Sequence, residues 1–447
     1  MKNVLILGAG QSAPHLISYM LENAEQQDWF VTLCDMNYEL AQKRINAHPR
    51  GTAVEFDAND ETLRKSLIEK SDIVINFLAP FFQFLIALDC VNYGKHFVSA
   101  SYEDPKVADL KNDAVKKGII ILNEMGLDPG IDHMSAMSLI NEIKNKGGNI
   151  SRFVSYGSAL PAPEVKSNPL GYCMTWNPRN VALAGSAGAH YLEEGQQKIL
   201  GHQQVFQRTW PVEIDGVGTL EAYPNRDSLT YQNIFNLDNV DTMIRATLRN
   251  TGWCETWLQI VRLGFPNESM RVNNLAEKSY ADFTRMFLPL NSNGNNIQNR
   301  TANFLGINPT GRIMDNLKYL GLFSDEIIGG NPKCANDVLT TILKNKLPLP
   351  QGARDMVILS HEITYELPNS NQKEKITSTY VDYGEDEVYT AISKTVGLPA
   401  AMAAKLILNG ELPLTGTHIP THPVIYTKVL EELKTVGINF IEKKEVL

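Results

Sequence analysis

The first 125 residues repeat one pattern: a short apolar run, a turn, then a stretch with helical spacing. Val4 to Leu7 form four consecutive apolar positions and predict a buried strand, and Leu16, Ile17, Met20 and Leu21 follow along one helical face. Further strands are predicted at 31–34, 53–57, 72–78, 95–99 and 118–122, with helical segments between them. Such alternation predicts a parallel sheet flanked by helices, an α/β doubly wound domain. Beyond about residue 150 the pattern changes. Period-two alternation around 152–159, 210–222, 354–367 and 375–383 predicts a second sheet, mixed or antiparallel. Residues 270–345 are mostly helical, with a polar loop expected from Asn291 to Asn299. Three helices are expected at the end, 388–396, 400–408 and 426–436, the middle one opened by Gly397-Leu398-Pro399. No internal repeat is evident.

The turn after the first strand carries the first chemical information. It reads Gly8-Ala9-Gly10-Gln11-Ser12-Ala13, the G-x-G-x-x-A form of a dinucleotide-binding strand–turn–helix unit. Gly8 allows the tight turn, Gly10 lets a pyrophosphate approach the backbone, and Ala13 is small enough for close helix–strand packing. The helix N-terminus offers N–H groups and a partial positive charge to phosphate. The second strand ends at Asp35, at the spacing that suits a carboxylate gripping the adenosine ribose hydroxyls. A carboxylate there repels a 2′-phosphate, so NAD is expected in preference to NADP; Lys43 and Arg44 lie too far along the next helix to reverse this. Asp57, at the end of the third strand, is placed to reach the adenine edge, and Met36 and Ala58 beside these acids are counted with the cofactor site. In such sheets ligands bind beyond the carboxyl ends of the strands, which brings in Leu78, Ala100, Ser101, Tyr102 and the loop after Leu122.

Composition narrows the class. A chain of 447 residues with 43% hydrophobic content has enough for two or three domains. A formal charge of −9 argues against nucleic acid or an anionic membrane as the main partner. The first strand starts too early to leave room for a signal peptide, and no apolar run is expected to reach the ~18 residues a membrane helix needs. Five scattered cysteines without C-x-x-C spacing suggest reduced thiols and a cytoplasmic setting. No histidine cluster with metal-ligand spacing occurs, so no metal is expected.

Three Pro- and Gly-rich polar loops follow the last strand of the nucleotide domain: Asn123-Glu124-Met125-Gly126-Leu127-Asp128-Pro129-Gly130-Ile131-Asp132-His133-Met134, Leu160-Pro161-Ala162-Pro163-Glu164, and Asn168-Pro169-Leu170-Gly171-Tyr172. They are poor core material and suit the wall of a ligand site. These residues are similar to the saccharopine dehydrogenase family, in its glutamate-forming branch. So are Tyr223-Pro224-Asn225-Arg226-Asp227-Ser228, Arg245 to Arg249, Asp355-Met356-Val357, Lys394 to Pro399 and Ala401 to Lys405, in family order. The resemblance spans nearly the whole chain.

That resemblance implies a Rossmann domain over 1–125 completed by helices in 386–447, a substrate-binding and dimerising α/β domain over 126–268 with 350–385, and a helical insertion over 269–349. It implies nicotinamide cofactor binding by Ala9 to Ser12, Asp35, Asp57, Leu78, Ala100, Ser101, Leu127, Asp128, Pro129 and a residue near Asn177. Saccharopine binding is implied for Ser101, Tyr102, Asp128, Arg226, Thr247, Leu248 and Arg249. Family members from fungi that use NADP carry Arg where this chain has Asp35, so their cofactor choice is not carried across.

Saccharopine has three carboxylates, and an acidic protein needs local cations to hold it. Arg226 and Arg249 are suited to bidentate carboxylate binding. Arg152, Arg179 and Arg245 are expected in ordinary ion pairs. Asp128 and Tyr102 are the titratable groups best placed for proton transfer; the alternative is that Asp128 only accepts a hydrogen bond and Tyr102 closes the pocket. His133 is either a base or a buried structural residue, and Cys173 is expected in packing. The expected activity is NAD(P)-dependent conversion of saccharopine to L-glutamate and 2-aminoadipate 6-semialdehyde in lysine metabolism, by a cytoplasmic homodimer. Two alternatives stand: a carboxynorspermidine-type imine reductase, and an NAD-binding redox sensor without turnover.

Overall fold

The computed structural model describes residues 1–368 and 372–447. The chain forms two compact units, one of Met1–Asn149, Tyr365–Lys373 and Ser378–Leu447, the other of Ile150–Thr364 and Glu374–Thr377. Helix residues 131–145 thus belong to the first compact unit, and residues 269–349 lie within the second.

The first unit begins with six strands, β1 (Lys2–Leu7), β2 (Trp29–Asp35), β3 (Gly51–Glu55), β4 (Ile73–Asn76), β5 (His96–Ser99) and β6 (Ile120–Leu122). Between them lie α1 (Pro14–Glu22), α2 (Tyr38–Ile45), α3 (Glu61–Lys70), α4 (Gln83–Tyr93), α5 (Pro105–Ala108) and α6 (Lys111–Lys117), and α7 (Ile131–Asn145) follows. All strand pairings in this sheet are parallel. Their order runs β3-β2-β1-β4-β5-β6, so the direction of winding reverses between β1 and β4. Leu5, Leu7, Val74, Phe97 and Ile121 share a buried cluster with Ile68, Ile86 and Cys90 of the flanking helices. The third strand ends two residues earlier than its hydrophobic pattern suggests: Asp35 pairs with Glu55, and Asp57 already stands in the turn beyond.

The second unit carries β7 (Asn149–Pro161), α8 (Pro178–Ala182), β8 (Ala189–Glu193), β9 (Gln196–Leu200), β10 (Trp210–Ile214), β11 (Gly218–Pro224), β12 (Arg226–Asp227), β13 (Thr242–Arg249) and α9 (Trp253–Leu263). Helices α10 (Tyr280–Arg285), α11 (Ile297–Leu305), α12 (Arg312–Tyr319) and α13 (Ala335–Lys346) precede β14 (Asp355–Glu366). The sheet runs β10-β11-β13-β7-β14 and is mixed, since β13 pairs antiparallel with β11 and parallel with β7. The single run expected at 210–222 is a hairpin, β10 and β11, turned at Gly216 and Gly218, both in the left-handed region. After β15 (Lys373–Tyr383) the chain returns to the first unit as α14 (Ala391–Leu408), β16 (Gly416–His418) and α15 (Pro423–Thr435), ending in β17 (Ile441–Val446). Strand β16 adds to β6 as the seventh parallel strand, and α15 packs against α7.

Two expected helices, 388–396 and 400–408, are one. Helix α14 runs unbroken through Pro399, which sits inside it. An interior proline removes one helical hydrogen bond at a cost of ~3 kcal/mol. Burial of Leu398, Ala400, Ala401, Met402, Ala403, Ala404, Leu406 and Ile407 offsets that cost. Gly397 lets α1 approach closely, because a Cβ there would lie 2.9 Å from the Leu16 nitrogen. This 18-residue helix is long and apolar enough to span a bilayer, contrary to the reading of the sequence, but its window is 78% buried within the protein and it serves as a core helix.

Candidate active site

Strand β1 delivers the chain into the turn at the reversal of winding. Gly8 has φ +104, and a Cβ there would stand 2.8 Å from the carbonyl oxygen of Phe77. Only glycine combines that dihedral with that approach. Gly10 has open space on its Cβ side and is exposed, as a backbone approached by a ligand requires. Gln11 is exposed and Ser12 half-buried, while Ala13 is buried at the start of α1 and donates its N–H to the Gly10 carbonyl at 3.1 Å. The first-turn N–H groups of α1 have no intrahelical partners and face the same end of the sheet.

The Asp35 carboxylate holds this turn. One oxygen accepts from the Ala9 N–H at 2.8 Å and the other from the Asn37 N–H at 2.8 Å. Met36 beside it is exposed. Asp57 accepts from the backbone and side-chain N–H groups of Asn59, and the buried carbonyl of Ala58 accepts from Arg64 at 2.6 Å. Arg64 in turn forms a buried ion pair with Asp89, 2.7 Å apart. Leu78 is half-buried after β4, where its N–H donates to the Asn76 side chain at 3.3 Å. These residues lie along one edge of one sheet, and their open backbone and helix terminus fit a dinucleotide.

Strands β5 and β6 end beside them. Ala100, Ser101 and Tyr102 follow β5; Leu127, Asp128 and Pro129 lie in the loop between β6 and α7. The Tyr102 hydroxyl donates to the Asp128 carboxylate at 3.1 Å, and Asp128 is exposed while Leu127 and Pro129 are buried on either side. The loop closes tightly: the Gly126 N–H donates to the Pro129 carbonyl at 3.0 Å and the Ile131 N–H to the Gly126 carbonyl at 2.9 Å. Gly130 has φ +146, and a Cβ there would fall 2.0 Å from the Gly126 oxygen. Gly130→Ala is therefore expected to destabilise the fold by at least ~3 kcal/mol, since it adds steric overlap to dihedral strain. A thermal melt within two degrees of the unsubstituted protein would show that the loop relaxes.

The other expected substrate residues stand in the second unit. Asn177 is the N-cap of α8, its side-chain oxygen accepting from the Arg179 N–H at 3.0 Å. Arg226 is exposed with φ +58, at the start of β12. Thr247 is half-buried and Leu248 fully buried on β13, next to Arg249. The Leu248 carbonyl is engaged by the Ser158 hydroxyl at 2.6 Å and by Arg249 at 2.9 Å. Arg249 is 5% exposed and lies over the rings of Trp253, Tyr172 and Tyr223 at 4.9, 5.0 and 5.8 Å. Its Nε is buried without a hydrogen-bond partner. Aromatic faces hold a guanidinium in place while leaving its edge to an anion.

Arg179 is paired with Asp337 at 2.7 Å and Glu268 at 2.8 Å, and Arg245 lies over the Tyr231 ring. Cys173 is buried, which pushes its thiol up, away from the reactive thiolate. Among the described residues no group of three or more His, Cys, Asp or Glu is arranged to hold a metal. The reading of the sequence missed a polar network beside the Tyr102–Asp128 pair. Glu103, Asn123 and Gln83 are joined in series, Gln83 Nε2 donating to Asn123 at 2.9 Å and Asn123 Nδ2 to Glu103 at 3.0 Å. Burial pushes the Glu103 carboxyl up, moderated by that bond from Asn123. The available signal was the Asn123-Glu124 dipeptide directly after an apolar strand.

Turn, sheet and carboxyl-edge residues define a dinucleotide-binding α/β protein. Comparison with known proteins narrows this. Residues 4–122 match the saccharopine dehydrogenase NADP binding domain and residues 126–438 the saccharopine dehydrogenase C-terminal domain. The chain belongs to the saccharopine dehydrogenase family. It is 30% identical to a saccharopine dehydrogenase [NADP(+), L-glutamate-forming] of Schizosaccharomyces pombe, over 99% of each chain. A protein of the same name from Saccharomyces cerevisiae is 31% identical, over 100% of this chain and 99% of its own. A solved saccharopine dehydrogenase (L-Glu forming) from Saccharomyces cerevisiae superimposes with a TM-score of 0.87 at 30% identity, covering all of both chains.

Proposed function

We propose that this protein is a glutamate-forming saccharopine dehydrogenase that prefers NAD. The observation that carries the reading is the Tyr102–Asp128 hydrogen bond, 3.1 Å long, at the carboxyl edge of the sheet that also bears the dinucleotide turn. A nicotinamide cofactor held at this edge would supply hydride acceptance for oxidation of the bond between C6 of the lysine part of saccharopine and its nitrogen. The backbone of Gly8 to Ser12 and the start of α1 hold the pyrophosphate, and Asp35 the ribose hydroxyls. Asp128 takes the proton from the secondary ammonium, with Tyr102 donating to the carboxylate and passing protons to solvent. The same pair removes a proton from the water that adds to the imine carbon. The resulting carbinolamine then splits to L-glutamate and 2-aminoadipate 6-semialdehyde. Arg249 and Arg226 bind carboxylates of the substrate.

The direct test is incubation of the purified protein with NAD and saccharopine, following NADH and identifying glutamate. Turnover of carboxynorspermidine instead, or of neither compound, overturns the reading. The five free, buried cysteines accord with a reducing compartment, and a cytoplasmic homodimer belongs to the same proposal.

The cofactor preference rests on Asp35. The relatives named above carry NADP(+) in their names, and a carboxylate at the end of β2 opposes a 2′-phosphate by charge. NAD is expected to give the higher kcat/KM by ~10- to 100-fold, on the scale of one or two charge-assisted hydrogen bonds. Asp35→Ser keeps an acceptor for the Ala9 N–H, weakens NAD and narrows the gap. Equal kcat/KM with the two cofactors in the unsubstituted protein would sink the argument.

A further inference from the structure

We propose that His133 is a positioning residue that couples the two segments carrying Tyr102 and Asp128; as a statement about turnover this rests on the function proposed above. Each segment has its own clamp. Glu124 holds the first: its N–H donates to the Ser101 carbonyl at 3.0 Å, and its Oε1 accepts from the Glu103 N–H at 3.1 Å. Tyr102 is thereby fixed from both sides. Asp132 holds the second: its N–H donates to the Leu127 carbonyl at 3.0 Å, and its Oδ1 accepts from the Gly130 N–H at 2.6 Å. Those two bonds bracket Asp128 and Pro129.

The imidazole of His133 stands between the clamps. Its Nε2 lies 3.0 Å from Glu124 Oε2 and its Nδ1 3.3 Å from Asp132 Oδ2. His133, Glu124 and Asp132 are 1%, 5% and 3% exposed, so all three lie away from bulk solvent. The two ring nitrogens thus each face one carboxylate, so a single side chain touches both clamps. Removing the ring takes away the one group that both carboxylates contact and leaves a cavity between them. Glu124 has φ +61, in the left-handed region that a residue with a Cβ enters at a cost. Such strain persists where the surroundings over-determine it, here by the two hydrogen bonds to the segment around Tyr102 and the contact with His133.

The arrangement makes the Tyr102–Asp128 distance depend on a side chain that touches both clamps. The test combines steady-state kinetics with hydrogen exchange of peptides covering 99–104 and 124–132. His133→Leu is expected to lower kcat by ~30- to 100-fold through misplacement of the pair, while KM for the cofactor stays within about threefold. His133→Gln, which retains an N–H donor, is expected to recover at least about fivefold of that loss. Adding Glu124→Gln to His133→Leu costs little more, because the connection is already cut. Exchange accelerates in both peptides. A folded His133→Leu protein with kcat within about threefold of the unsubstituted one, or with faster exchange in one peptide or neither, overturns the proposal. Should the leucine variant not fold, His133→Gln decides: unchanged kcat and unchanged exchange overturn it. Should the unsubstituted protein not oxidise saccharopine, the functional reading fails, and the exchange data alone decide the coupling.

Discussion

Asp128→Asn and Tyr102→Phe are each expected to lower kcat for saccharopine oxidation by ~10²- to 10⁴-fold, and to remove one limb of the pH–rate profile. Both substitutions keep the shape of the side chain. Asparagine still accepts a hydrogen bond but takes no proton; phenylalanine fills the space of the ring but breaks the 3.1 Å contact. Loss of turnover without loss of cofactor affinity therefore isolates proton transfer. The competing account has Asp128 accepting a hydrogen bond from the substrate amine, with Tyr102 as a wall. It requires kcat within a few-fold of normal and intact pH limbs in both variants, with the change confined to KM.

The second large effect is expected at Arg249. Arg249→Met should reduce kcat/KM for saccharopine by roughly ten- to a hundredfold, from a loss of ~1.5–3 kcal/mol per charged hydrogen bond. Methionine is chosen because it fills apolar space beside aromatic rings. Alanine would open a cavity among Tyr172, Tyr223 and Trp253 and mix a folding defect with a binding one. Arg226→Ala should weaken saccharopine use on a similar scale without affecting stability, as Arg226 is exposed. If NAD affinity falls in either variant while saccharopine kinetics hold, these guanidinium groups serve another ligand.

Much of the nucleotide-binding unit was legible because its signals are local. Four apolar residues ending at Gly8 state both the buried strand and the turn, and Asp35 closes the second strand where expected. Signals that depend on distant chain were not legible. Pro399 reads as a helix start, and the neighbours that bury α14 on nearly every side lie elsewhere in the sequence. The β10–β11 hairpin reads as one strand because Asp215, Gly216 and Val217 interrupt the alternation too briefly. At the site, Arg249 was found from its motif, but the aromatic box around it comes from residues 172, 223 and 253. The polar network was missed for the same reason. Gln83, Glu103, Asn123, Glu124 and Asp132 fall on four separate segments and resemble loop residues one at a time. His133 was weighed as a base or a buried structural residue, and the structure buries it between two carboxylates.

The seventh strand of the parallel sheet, β16, is added by residues 416–418 to an edge completed at residue 122. For biosynthesis this imposes a waiting time. A ribosome adding ~5–20 residues per second needs about 15–60 s to cover the interval. Until then the outer edge of β6 has no strand beside it, and the apolar face of α1 has no α14 to cover it. A chain truncated before α14 is therefore expected to aggregate on synthesis, and a truncated product that stays soluble and monomeric would show that the open edge and helix face are tolerated.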